Sequence, residues 1–215
     1  MSIQCQKIIR LMSRIFILHL DRMFIPLPRL ITRDICLIAV LTAVCVGGNY
    51  ALIGLPNIKV MDLIVFAAGF VFGTLIGATT GALTWIVYGT LNPLGSNFPI
   101  WLSTMVGETI FGIVGGILGR LEYRNLEDIY NFRFSLEMGL WGLVLTVFYD
   151  LLTNIVFAIT FKVPMIAAIV TGWFIPPWFG FLHEVSNLLL FFVAVHPLIR
   201  AIRKVRGSDE TWLSE

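Results

Sequence analysis

Charge is what this sequence has least of. Only 13% of its 215 residues are Asp, Glu, Lys or Arg, while 58% are hydrophobic. So few charges cannot cover the surface of a soluble domain, and the composition points to a polytopic membrane protein. Cysteine is equally sparse. Cys5, Cys36 and Cys45 show no CxxC spacing, which fits buried, reduced thiols rather than a redox or metal motif. No Gly-Lys pair occurs, so there is no Walker A loop, and the chain is not itself a P-loop ATPase. No GxSxG is present to carry a serine nucleophile. The run His183-Glu184-Val185-Ser186-Asn187 begins like a zinc-protease motif, but Asn187 stands where the second histidine is required, so no metal is expected. Basic residues flank apolar runs instead of forming a nucleic-acid patch. The basic N-terminus lacks an apolar core followed by a small-residue cleavage site, so no leader is expected.

Long apolar runs are what is present. A bilayer core takes about 20 helical residues to cross. Clear spans cover 35–53, 100–119, 138–161 and 179–199. The run from Met61 to Leu91 is too long for one upright helix and short for two. Charge resolves it. Basic residues cluster at 7–33, at 120–133 and at 200–206, with only Lys59 and Lys162 elsewhere. The positive-inside rule makes these clusters cytoplasmic. The chain must then cross an even number of times between Arg33 and Arg120. This predicts two short helices, roughly 61–73 and 75–91, with a tight turn near Gly73-Thr74. The same parity, with Pro176-Pro177 as a break, predicts an apolar external loop over 163–178. The expected fold is therefore all-α: a six-helix transmembrane bundle with both termini inside.

Residues 7–24 place Ile8, Leu11, Met12, Ile15 and Phe16 at helical spacing, with Lys7, Arg10, Arg14 and Asp21 on another side. This suits an amphipathic helix lying on the cytoplasmic leaflet. A dispensable extension, with Met12 or Met23 as the true start, fits equally. The domain reading is an arm at 1–30, a six-helix membrane domain at 31–206 and a tail at 207–215.

Glycine is plentiful where water-soluble helices avoid it. Gly69, Gly73, Gly77 and Gly81 recur every fourth residue, and Gly112, Gly115 and Gly119 repeat the device. Helices in lipid gain little hydrophobic energy from pairing, so small residues that allow close backbone approach hold them together. Packing explains such a ladder without any reference to function.

Ionisable groups within spans are costly and therefore functional candidates. Glu108, Asp150, Asn154, His183, Glu184 and Asn187 fall in the outer half of three separate helices, and Thr146 shares a face with Asp150 and Asn154. The inner half is almost entirely Leu, Ile, Val, Phe and Gly. A conducting path would need polar groups across the full thickness, so the pattern predicts a cup open to the outside and sealed below. External segments with Asn57, Lys59, Asn92, Asn97, Trp101, Lys162, Trp173 and Trp178 suit closure over a small organic ligand. Bland alternatives fit the same residues: Trp101, Trp173 and Trp178 as interface anchors, Asp150 and Asn154 as a structural interhelical bond, and His183-Glu184 as a helix start.

These features resemble the substrate-binding S component of energy-coupling factor (ECF) vitamin transporters. Ala39-Val40-Leu41-Thr42-Ala43 is similar to that family's AxxxA docking motif, with Gly47 extending the small face. The Gly-rich block from Pro56 through Gly95 and the Asp150-Leu151-Leu152-Thr153-Asn154 pattern add to the likeness, which covers about 33–206. The resemblance implies a multi-pass protein of a prokaryotic cell membrane that binds a micronutrient from outside. It implies partners: a membrane coupling subunit docked on Ala39, Ala43 and Gly47, and two cytoplasmic ATPases that power release inside. No cofactor is implied. Two rival readings remain open at this point. One is a membrane enzyme using Glu108, Asp150 or His183 in acid–base work, and the other is a non-catalytic scaffold pairing through its glycine faces.

Overall fold

The computed structural model describes residues 30–92, 97–121, 132–175 and 178–212, with side chains up to 204. The chain divides into two units, Met1–Ile31 and Thr32–Glu215, and the second carries the architecture reported below. The arm expected over 1–30 falls almost wholly outside the described residues.

The described residues hold seven helices: α1 (Thr32–Ala51), α2 (Met61–Phe72), α3 (Thr74–Thr90), α4 (Phe98–Leu121), α5 (Phe132–Phe161), α6 (Met165–Phe174) and α7 (Phe179–Trp212). Four are long and apolar enough to cross a membrane: Thr32–Ala51, Phe98–Leu121, Phe132–Phe161 and Phe179–Lys204. They correspond to the four clear spans read from the sequence. The ambiguous run is indeed two helices, of 12 and 17 residues. One residue separates them. Gly73 adopts φ 101° and ψ 166°, a region essentially reserved for glycine, and its N–H still closes α2 on Gly69 O. The chain thus reverses without a loop.

The segment 163–178, expected to be a loop, instead contains α6. Pro164 stands at its N-cap, where the missing N–H costs nothing, and the apolar run Met165–Phe174 then continues as helix. At 10 residues, or about 15 Å, α6 is too short to span a bilayer. The parity and the Pro176-Pro177 break that suggested an apolar external loop leave room for a short helix before the prolines, because satisfying backbone groups locally is favoured wherever water is scarce.

Side-chain contacts fix the relative directions of the helices. Gly77 lies against Gly69 and Gly81 against Val65, so α2 and α3 are antiparallel about Gly73. Gly115 meets Phe66 and Gly119 meets Phe70, so α4 runs parallel to α2. Asp150 pairs with His183 and Thr146 with Asn187, so α5 opposes α7. Phe66 packs on Phe191, and Asp62 reaches His183, so α7 follows α2. Tyr50 meets Tyr88 and Leu91, while Cys45 reaches Thr84, so α1 follows α3. Helices α1, α3 and α5 therefore point one way and α2, α4 and α7 the other.

This arrangement sorts the chemistry to two ends. Arg120 lies beside Gly73 and Arg203 covers the Phe70 ring, so the basic residues collect where α2 turns into α3. The opposite end carries Lys59, Asp62 and the start of α7. Between them lies an aromatic core of Phe66, Phe111, Phe191, Trp85 and Tyr149.

Candidate functional site

The glycine ladder positions the site as well as packing the helices. A Cβ on Gly81 would lie 2.8 Å from Glu108 O and 3.1 Å from Val65 Cγ1, so Gly81 lets α2, α3 and α4 meet at the level of Glu108. One residue before Glu108, Gly107 faces the Tyr149 ring, where a Cβ would stand 3.0 Å from Cε2. These bare positions let Glu108 reach the interior with aromatic surface close on either side.

At the centre, His183 bridges two aspartates. Its Nε2 lies 2.8 Å from Asp62 Oδ2 and its Nδ1 lies 3.0 Å from Asp150 Oδ1. An imidazolium donates from both nitrogens and satisfies both contacts at once. Asn187 donates to Asp62 Oδ2 at 2.6 Å and to Thr146 Oγ1 at 2.8 Å. Helices α2, α5 and α7 are thereby joined through buried polar atoms, which hold only when mutually satisfied. Glu108, fully buried, lies within electrostatic reach of Asp62, Lys59 and the Trp85 indole, yet neither carboxyl oxygen meets hydrogen-bond geometry with a partner. Lys59 enters from the α1–α2 connection and sets its ammonium 5.2 Å from the Trp85 ring centre and 5.0 Å from that of Tyr149.

Several further polar atoms here are buried without a partner: Asp62 Oδ1, Asp150 Oδ2, Asn187 Oδ1, Tyr149 OH and Trp85 Nε1. An unpaired buried polar group costs about 1–3 kcal/mol, so their concentration here makes this cluster the candidate site. Among the described residues, no three His, Cys, Asp or Glu side chains converge to hold a metal ion.

The expected site residues divide into three groups. Glu108, Asp150, His183 and Asn187 come together, with Lys59 beside them. A second group forms where α5, α6 and α7 meet: Trp173 donates its indole N–H to Glu184 Oε1 at 2.5 Å, and Asn154 packs against Gly172. The third group lies around the connections. Asn57, at φ 52°, donates to Phe179 O at 2.9 Å and ties the α1–α2 connection to α7. Trp101 donates to Trp85 O at 2.9 Å and covers Gly89, so it braces α4 against α3. Asn97 accepts the Trp101 N–H through its backbone, Asn92 is half-buried, and Lys162 is exposed. On α1, Ala39, Ala43 and Gly47 are all exposed, and nothing lies within 4 Å of where a Gly47 Cβ would be.

Asp62 is the residue that sequence reasoning missed, and it is the link between Glu108 and His183. Its carboxylate sits inside the apolar Met61–Leu91 run, the signal that singled out Asp150 and Glu108. Tyr149 and Trp85 were also missed, because aromatic residues in apolar helices carry no distinguishing pattern.

Residues 29–204 match the model of a family described as ECF-type riboflavin transporter, S component. The chain belongs to this family. As an ECF S component it is a multi-pass membrane protein of a transport system. No curated protein and no solved structure matches this S component.

Proposed function

We propose that this S component captures a ring-bearing vitamin or related micronutrient from outside a prokaryotic cell and delivers it inward, driven by ATP hydrolysis in partner subunits. The observation that carries this reading is the set of unpartnered buried polar atoms around Asp62, Glu108, Tyr149 and Asn187, in a chain whose family is one of transport subunits. Aromatic faces at Trp85 and Tyr149 provide stacking, and the polar atoms provide direction. The basic residues collect at the opposite end, so the positive-inside rule puts the site toward the exterior, both termini in the cytoplasm and six helices across the bilayer. Two of the six, α2 and α3, are short.

The exposed face of Ala39, Ala43 and Gly47 on α1 is proposed to receive the membrane coupling subunit, which carries two cytoplasmic ATPases. Small side chains there let a partner helix approach closely and slide, as reorientation of the subunit requires. The polar cluster serves binding and not turnover, so the chain is no enzyme. The family's description makes riboflavin the first ligand to test.

Extraction of the purified protein settles the reading. A vitamin-sized molecule released on denaturation and identified by mass spectrometry is the expected result. An empty protein that also shows no ligand-dependent stabilisation across a vitamin panel would overturn it.

A further inference from the structure

At Glu108 an acceptor meets an acceptor. The side chain is fully buried, and its carboxyl lies within reach of the Asp62 carboxyl. Ionised carboxylates only accept, so two of them in contact cannot bond to each other. The unpartnered oxygens at this contact, Asp62 Oδ1 and both of Glu108, are all of this kind. Around Glu108 stand Cys45 of α1, the Trp85 indole of α3, Tyr149 of α5 and, from the α1–α2 connection, Lys59. With every acid ionised, three carboxylates (Asp62, Glu108 and Asp150) face two cations, the Lys59 ammonium and the His183 imidazolium. A buried carboxylate short of counter-charge takes up a proton, and two carboxyls in one place share one. One proton makes the count two against two.

The hydrogen bonds assign that proton. Asp62 Oδ2 accepts from His183 Nε2 at 2.8 Å and from Asn187 Nδ2 at 2.6 Å. Asp150 Oδ1 accepts from His183 Nδ1 at 3.0 Å. Both aspartates are thereby held as acceptors, and Glu108 receives no such bond. The Trp85 indole N–H lies within reach of the Glu108 carboxyl, and a neutral acid can still accept it through its carbonyl oxygen.

We infer that Glu108 is held as a neutral acid whose O–H donates to Asp62 Oδ1, so that a shared proton joins α4 to the His183 network and leaves the site without net charge. This inference rests on the S-component reading and deepens it. An uncharged ring entering such a site strands no ion, and Asp150 Oδ2, Asn187 Oδ1 and the Tyr149 hydroxyl remain to direct it. Glu108 is then a positioning residue that acts through Asp62, not an ion-pair partner for the solute.

The test uses the full-length protein in lipid nanodiscs at neutral pH. Infrared spectra read the proton directly, because a neutral carboxylic acid has a carbonyl stretch clear of the amide and carboxylate bands. The difference spectrum of wild type minus Glu108→Gln should show that band. Glu108→Gln keeps the shape, the neutrality and a donor for Asp62 Oδ1. It should melt with the wild type and bind riboflavin within about twofold of it. Glu108→Ala removes the donor and should weaken riboflavin by about tenfold or more. A difference spectrum without the band, or a Glu108→Gln variant that melts well below the wild type or loses riboflavin as Glu108→Ala does, overturns the neutral acid and leaves the S-component reading intact. The infrared band needs no ligand. A protein that shows it, yet binds no vitamin and releases no small molecule, retains the shared proton and overturns the capture of a solute.

Discussion

Asp62 Oδ2 lies 2.8 Å from His183 Nε2, although 121 residues separate them in the chain. The contact fastens the start of α2 to α7, and Asp150 holds the other side of the same ring. Removing one partner of such a buried pair strands the other, at a cost of about 3–5 kcal/mol. Asp62→Ala should therefore lower the melting temperature in detergent markedly. Asp62→Asn, which keeps an acceptor for the imidazole, should lower it less. Equal melting of all three proteins would show that the bridge contributes nothing.

The hairpin at Gly73 makes a local prediction. A side chain at φ 101°, ψ 166° is strained by about 1–3 kcal/mol wherever it points. Gly73→Ala should be destabilised by that amount even though the nearest neighbour of a Cβ there, on Arg120, is 3.8 Å away. Thermal unfolding in detergent reads the change, and an unaltered curve counts against a fixed backbone at this residue.

The glycines should divide sharply by neighbourhood. A Cβ on Gly77 would stand 2.5 Å from Gly69 Cα and 2.7 Å from Gly112 O, which is backbone that cannot yield cheaply. Gly77→Val should cost about 1–3 kcal/mol or more through overpacking. Gly48 has nothing within 4 Å, so Gly48→Ala should be neutral or raise stability by up to about 1 kcal/mol through helix propensity. Expression level and melting temperature of the two variants provide the comparison.

Binding and coupling should separate genetically. Ala39→Leu with Ala43→Leu adds bulk on an exposed face of α1, whereas the buried face of the same helix, with Cys45, is the one turned toward Glu108. Uptake by cells should be abolished while ligand affinity of the purified subunit stays within about twofold. Gly107→Val should instead lower ligand affinity and uptake together, because it pushes the Tyr149 ring out of place. A double leucine variant that transports normally would remove α1 as the docking face.

Much of the fold could be read before any coordinates. Four spans follow from hydropathy, because a bilayer demands a fixed length of apolar helix. The α2–α3 hairpin follows from charge parity and from a glycine at the one place where a turn was needed. The loop expected over 163–178 failed for a physical reason. Charge parity and flanking prolines do not distinguish an apolar external loop from a short helix, and only the packing of α6 beside Asn154 and Gly180 reveals which forms.

The site was legible in its members but not in its connections. Glu108, Asp150, His183 and Asn187 were visible because ionisable and amide groups in spans are expensive. Asp62 carries the same signal three residues past the flanking Lys59, where it reads as part of the loop boundary. That Glu108 lies beside Asp62 has no trace in the sequence, since the 45 residues between 62 and 108 carry no information about approach across a bundle.

Sequence alone established that this chain crosses a membrane, where its turns fall, and that polar groups gather toward one end, because hydrophobic length, glycine conformation and charge bias are properties of local segments. Tertiary structure alone decided that His183 is gripped by two aspartates, that Lys59 rests on Trp85 and Tyr149, and that Glu108 is buried beside Asp62 and Trp85. Those are contacts between distant segments, and they depend on how closely bare glycine faces let the helices approach.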